Sequence, residues 1–134
     1  MEISIQIDNR KNIRWHVVKG VIDVRDLAEY LKGIYASSDT NSEMNSFWDL
    51  QNADFSSVTS DDVRVFMGYV GNIWGKGGNS KAALVVSNDL DFGLSRMFQI
   101  MMEGATSSAI EVFKDIDAAK QWIEADRQTE ENGK

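Results

Sequence analysis

The chain has 134 residues, no cysteine, one histidine and a formal net charge of −7 from 14 basic and 21 acidic side chains. A chain of this size is expected to form one domain and to bury roughly 65–70% of its unfolded surface without staples. The lack of cysteine excludes disulfides, thiol catalysis and thiolate metal sites. Scattered basic residues argue against nucleic acid as a partner. The sequence predicts no membrane span, and its first residues, MEISIQIDNRK, lack the order of a signal peptide. A cytoplasmic protein is the expectation.

Ile3, Ile5 and Ile7 alternate with Ser4, Gln6 and Asp8, the period of a strand with one wet face. Residues 8–12 read as a turn and 13–19 as a second strand, giving a hairpin that Gly20 is expected to end. Asp23 caps the first helix, with Asp26 at its third position and Val24, Leu27, Leu31, Ile34 and Tyr35 on one face. The polar stretch 37–42 follows. A third strand is predicted over 45–50 and a loop from Gln51 to Thr59. Thr59 and Asp62 form a second capping pair.

The second helix carries the stripe Val63, Phe66, Met67, Val70, Ile73 and Trp74, and ends in the connector 75–80. The unbroken apolar run 82–86 fits a central strand covered on both faces. The third helix spans about 90–103, with Leu90, Leu94, Met97, Phe98 and Met101 inward. A last strand at 109–113 leads to a helix capped by Asp115, which buries Ile116, Ala119 and Ile123 with Trp122 near its edge. The predicted fold is α/β, a mixed sheet of about five strands with four helices in the order ββαβαβαβα. Residues 1–124 form the domain and 125–134 a polar tail. In such sheets ligands favour the carboxyl edge of the strands. Here that edge carries the turns 22–26, 50–62, 87–91 and 114–117.

The segments WDL (48–50), ALVVSNDLDFGLSRMF (83–98) and VFKDIDAAKQWI (112–123), in this order and spacing, resemble the SpoIIAA-like group of the STAS superfamily. The resemblance runs from the first strand to Trp122. It implies a STAS-like domain that regulates by binding, as do anti-sigma-factor antagonists, and does not turn over a substrate. Well-known relatives are switched by phosphorylation of a serine in an Asp-Ser-Ser-Gly turn at the start of the second helix. This chain has ADFSSVTSDD there. Asp54, Ser57, Ser60 and Asp61 mark the candidate switch or partner loop, but Asp61 and Asp62 would repel a phosphate on Ser60. The phosphoswitch is expected to be absent.

Other constellations have plainer readings. Asp49, Ser87 and Lys114 end the third, fourth and fifth strands in this reading, as in a phosphoacceptor receiver, but the acidic pair such a domain needs after its first strand is missing. Asp23, Asp49, Asp54, Asp61, Asp62, Asp89 and Asp91 crowd one edge without a dense ligand spacing, so they read as caps and no metal site is expected. The glycine-rich run 71–78 leads from a helix into a strand, the reverse of a P-loop. His16 lies mid-strand with Arg14 and Val18 on its face, far from Ser57, Ser60 and Ser87, and reads as an ordinary strand histidine.

The third helix has more apolar residues than one face can hide. Ser87, Asn88, Asp89, Phe92, Arg96, Ile100 and Met102 form a candidate partner or ligand patch, in which Arg96 meets an anionic group or pairs with Asp89 or Asp91. The leading expectation is a non-enzymatic domain that binds a protein partner through the 51–62 loop and the start of this helix, or pairs as a homodimer. The alternative is a carrier of a small apolar molecule or lipid, with a cleft between helices lined by Trp74 and Phe92. A hydrolase using His16 is the third. No cofactor is expected.

Overall fold

The computed structural model describes residues 1–36, 43–75, 80–104 and 109–125, with only the backbone of 72–75. The polar stretch 37–42, the connector 76–79 and the tail 126–134 lie outside the described residues, as do the side chains of Ile73 and Trp74. The elements are β1 (Glu2–Asp8), β2 (Ile13–Val21), α1 (Val24–Ala36), β3 (Asn45–Asp54), α2 (Ser60–Gly75), β4 (Lys81–Val85), α3 (Asp89–Glu103), β5 (Ala109–Phe113) and α4 (Ile116–Glu124). The expected order ββαβαβαβα and the α/β class are both found.

The sheet has the order β1-β2-β3-β4-β5, with β1 antiparallel to β2 and all later pairs parallel. Each crossover steps the same way across the sheet, and crossovers of one hand bring successive helices to one face. α1 packs on α2, α2 on α3, and α3 on β5, while α4 alone crosses to the other face over β3, β4 and β5. Two cores result. Under the three helices lie Val18, Trp48, Leu50, Leu84, Phe66, Phe98 and Met102; under α4 lie Ile13, Phe47, Ala83, Val85, Ala119 and Ile123. The residues of β4 that feed both cores explain its unbroken apolar run.

The turn between β1 and β2 closes because Asn12 takes a left-handed conformation (φ 61°) and the Asp8 carboxylate accepts from Lys11 N. Gly20 does not end β2. It takes φ 87° within the strand, where a side chain would be strained, and pairing with β3 continues through Val21–Asp54. Between Val17–Asp49 and Lys19–Asn52, β3 advances three positions while β2 advances two, so the ladder contains an irregularity and then resumes. The third strand therefore runs on to Asp54, and the expected loop shrinks to 55–59. Asp49 consequently sits within β3, its carboxylate accepting from Gln51 N, and is not a strand end.

The helix starts follow the caps. Asp23 accepts from Arg25 N and Asp26 N, and Thr59 and Asp62 bond each other's backbone N–H reciprocally at 2.9 and 3.1 Å. Asn88 and Asp91 do likewise for α3 by a backbone and a side-chain bond, and Asp115 caps α4. α3 departs from its expected phase. Its buried face is Asp91, Ser95, Phe98, Gln99 and Met102, which leaves Leu90 66% exposed where an inward residue was expected. Met102 is 0% exposed and belongs to the core, not to a surface patch. Packing of Phe98 and Met102 into the core, with Leu94, Met97 and Met101 against it, turns the helix so that Leu90 faces outward.

Candidate functional site

Two features on the three-helix face stand apart from ordinary packing. The first is a cavity of about 90 Å³ at the carboxyl edge, between α1, α2, α3 and the sheet. Trp48 and Leu84 lie on the sheet side, with Leu50 where β3 nears its end. Val24, Leu27 and Leu31 come from α1, Val63 and Phe66 from α2, and Leu94, Ser95 and Phe98 from α3. Phe55 and Val58 enter from the short loop after β3, which a hydrogen bond from Val58 N to the Phe55 carbonyl (2.9 Å) holds as a turn. Ser95 is the one lining residue with a side-chain oxygen, so the walls are almost wholly apolar. Val24, Phe55, Val58 and Leu94 are only half-buried and lie toward the rim.

The second feature is polar and deeper. Arg14 and His16 are each 1% exposed, on the face of β2 that points under α1. The His16 ring stacks on Trp48 of β3 at 3.8 Å with 7° between planes, and Tyr30 of α1 meets its Nδ1 at 3.1 Å. Arg14 Nη2 donates to Tyr35 Oη (3.1 Å) and the Met44 carbonyl (3.4 Å), and the guanidinium lies over the Tyr35 ring at 4.7 Å. Among the described residues, four buried side-chain nitrogens have no hydrogen-bond partner: Arg14 Nε and Nη1, His16 Nε2 and Trp48 Nε1. Burial, and then the neighbouring Arg14 charge, pull the His16 pKa from 6.5 to about 3. Burial raises the Tyr30 hydroxyl, against a smaller lowering by Arg14.

His16 is thus neutral at ordinary pH, and its ring contacts are Tyr30 and Trp48. A base held near pKa 3 is poorly matched to proton abstraction near neutrality, which weighs against the hydrolase reading. No group of three or more metal-ligating side chains gathers among the described residues. No helix among them is long and apolar enough to cross a membrane.

Most residues singled out from the sequence divide between the rim and the outer surface, apart from Phe92 and Met102, which belong with the core. Asp54, Ser57, Ser60 and Asp61 are exposed on the carboxyl rim. Asp54 accepts from Ser56, and that hydrogen bonding lowers its pKa; Asp61 pairs with Arg64 at 2.8 Å. Ser87, Asn88 and Asp89 are exposed where β4 meets α3. Asp89 pairs with Lys114 (2.6 Å), whose hydrogen bond and charge lower the aspartate's pKa. Arg96 binds neither Asp89 nor Asp91. Its Nη1 donates to Gln99 Oε1 at 2.7 Å, one turn along the same helix.

Arg96 and Ile100 instead line a broad open hollow with Arg64, Gly93, Met97 and Met101, on the outer side of α2 and α3. Phe92 does not line the cavity; it packs on the core with the Lys114 ammonium over its ring at 5.5 Å. The predicted patch therefore separates into a polar rim (Ser87, Asn88, Asp89) and an outer hollow (Arg96, Ile100), while Phe92 packs on the core and Met102 lies within it. Sequence reasoning missed Phe55 and Val58, two apolar residues in a short polar loop. It also missed the significance of Arg14 and His16 on the inward face of a strand, although their alternation with Trp15 and Val17 places them there.

No family model matches the chain, and no curated protein matches it. A solved structure does: an uncharacterised protein of the DUF3478 family with a SpoIIAA-like fold, from Shewanella loihica PV-4. It is 16% identical, superposes with a TM-score of 0.56, and the match covers 90% of this chain and 93% of that one. The likeness is one of fold, and the fold of this chain is SpoIIAA-like.

Proposed function

We propose that this chain is a non-enzymatic binding domain and that its carboxyl-edge cavity receives the apolar part of a small ligand. The carrying observation is the cavity itself, about 90 Å³ with apolar walls, next to the short Phe55–Val58 turn. An apolar guest would gain dispersion contacts with these walls that water supplies poorly. Its position also fits: in sheets of this kind ligands gather at the carboxyl ends of the strands. The carrier reading thereby moves ahead of the partner-binding one. A guest there touches three helices and the loop at once, which would couple occupancy to the shape of the rim.

Toluene and 1-decanol test this without presuming a headgroup. Each should raise the thermal midpoint saturably in the wild-type chain. Ser95→Leu, which adds volume to the cavity wall from α3, should fold normally and lose that response. A wild-type midpoint indifferent to both compounds would sink the reading.

A protein partner remains the second reading, and a specific observation favours it. Leu90 and Ile100 are 66% and 57% exposed on α3, and Ile100 lines the outer hollow with two methionines. Ile100→Asp would abolish association seen by light scattering or pull-down with a purified partner. It should leave toluene binding unchanged.

A further inference from the structure

We infer that Arg14 anchors an anion-binding site, in which a carboxylate or phosphate group of the ligand is held beneath α1. The inference rests on the cavity reading for the ligand's apolar part, but the anion site stands on separate observations. Arg14 is 1% exposed, yet only Nη2 has acceptors, a tyrosine hydroxyl and one carbonyl. Its Nε and Nη1 have none, and no ion pair among the described residues includes it. A buried guanidinium without a counter-charge is among the costliest groups a core can hold.

Among the described residues, the groups that contact Arg14 are a hydroxyl, a carbonyl and an aromatic ring, none of them an anion, and the cluster adds further donors. Trp48 Nε1 is a donor only, and it is buried without an acceptor. In the tautomer in which Tyr30 Oη donates to His16 Nδ1, the unpartnered Nε2 carries the ring proton and is another donor. The arginine fork is the group best suited to a planar or tetrahedral anion, and charge-assisted bonds are the strong ones. After burial, the Arg14 charge is the second influence that opposes protonation of His16.

A purely structural role explains less. Tying the last turn of α1 to the sheet uses Nη2 and the face over Tyr35, and leaves two donors and the charge uncompensated. A methionine would fill the place without that cost. Trp48 connects this cluster to the cavity: it lines the cavity, and it stacks on His16, two positions along β2 from Arg14. One ligand with an acidic end and an apolar end would satisfy both features.

The test compares 1-decanol, sodium decanoate, sodium acetate and inorganic phosphate at constant ionic strength, on the wild-type chain, Arg14→Met and Arg14→Lys. Decanoate should bind the wild type at least about tenfold tighter than decanol. Arg14→Met should retain decanol binding and lose the preference, and Arg14→Lys should recover part of it. A saturable effect of phosphate that Arg14→Met abolishes supports the site with phosphate as the group, even if neither decyl compound binds and the cavity reading falls. Equal binding of decanol and decanoate, with acetate and phosphate no different from sodium chloride, overturns the anion site and leaves the cavity reading intact. A decanoate preference that survives in Arg14→Met overturns it as well. Silence from all four overturns both. Should the variants fail to fold, nitrogen-15 spectra of the wild type decide. The Arg14 Nε–H resonance should shift with decanoate or phosphate and not with decanol or sodium chloride, and an unmoved resonance overturns the site.

Discussion

The two faces of the sheet are built to different standards. Under α4, the buried residues are Ile13, Phe47, Ala83, Val85, Ala119 and Ile123, all apolar, with Trp15, Phe113 and Trp122 packed around them. Under α1–α3 the same sheet carries Arg14, His16 and Ser46 among its buried side chains, four unpartnered nitrogens, and an apolar cavity. Packing alone would have favoured apolar residues at positions 14 and 16, as it did at 13, 83 and 85. The one-helix face is packed as scaffold, and the three-helix face carries the polar cluster and the cavity on which the proposed function rests.

Substitutions can break that comparison, and the largest effect belongs to the scaffold. Phe47→Ala, which removes a ring packed 4.8 Å from Trp15 under α4, should cost about 3–5 kcal/mol in chemical denaturation. It should leave ligand responses unchanged at temperatures where the variant is folded. A loss below 1 kcal/mol would mean that this face is as loosely built as the other.

The next effect concerns acid. Unfolded His16 titrates near 6.5 and folded His16 near 3, so the fold favours the neutral ring. Above pH 6.5 both states are neutral and the full stability is present. As pH falls from there toward 3, the unfolded chain takes up a proton that the folded chain refuses, and stability is lost. Between pH 6.5 and 5 the loss should approach about 2 kcal/mol. His16→Phe keeps a ring against Trp48 and should remove that slope; equal slopes in the two proteins would contradict it.

The smallest effect is a contrast of two additions. Ala83→Leu on the α4 side overfills a tight core and should destabilise by about 2 kcal/mol. Ser95→Leu enters existing space and should change stability by less than about 1 kcal/mol, in either direction. Thermal midpoints of the two variants, measured side by side, give the sharpest reading of how unevenly the molecule is packed.

Much of the architecture was legible because it is written in local signals. The alternation of Ile3, Ile5 and Ile7, the reciprocal caps at Thr59–Asp62, and the apolar run of β4 each determine an element by its own chemistry. Errors arose where a distant partner decided. Gly20 reads as a breaker, but pairing with β3 carries the strand through it. Leu90 and Met102 exchange their expected environments because contacts with the sheet and α2, made by Phe98 and Met102, decide which face of α3 is buried.

The candidate site was harder still. The acids and hydroxyls of the rim were visible as residue types, but their surface positions say nothing of what they meet. The cavity exists only once β3, the Phe55–Val58 turn and three helices converge, and no local pattern announces it. Arg14 was in plain view on an inward face. Its meaning depends on which of its nitrogens find acceptors, and that is decided by Tyr35 and Met44, far along the chain.

The sequential strand order has a consequence for assembly. Because β1-β2-β3-β4-β5 follows the chain, each new strand docks on the one made just before it, and none must wait for a distant segment. Loop closure is then inexpensive at every step, and the sheet can lengthen in one direction as a nascent chain emerges from the ribosome. The helix that seals the far side, α4, comes last, after β3, β4 and β5 are in place to receive it.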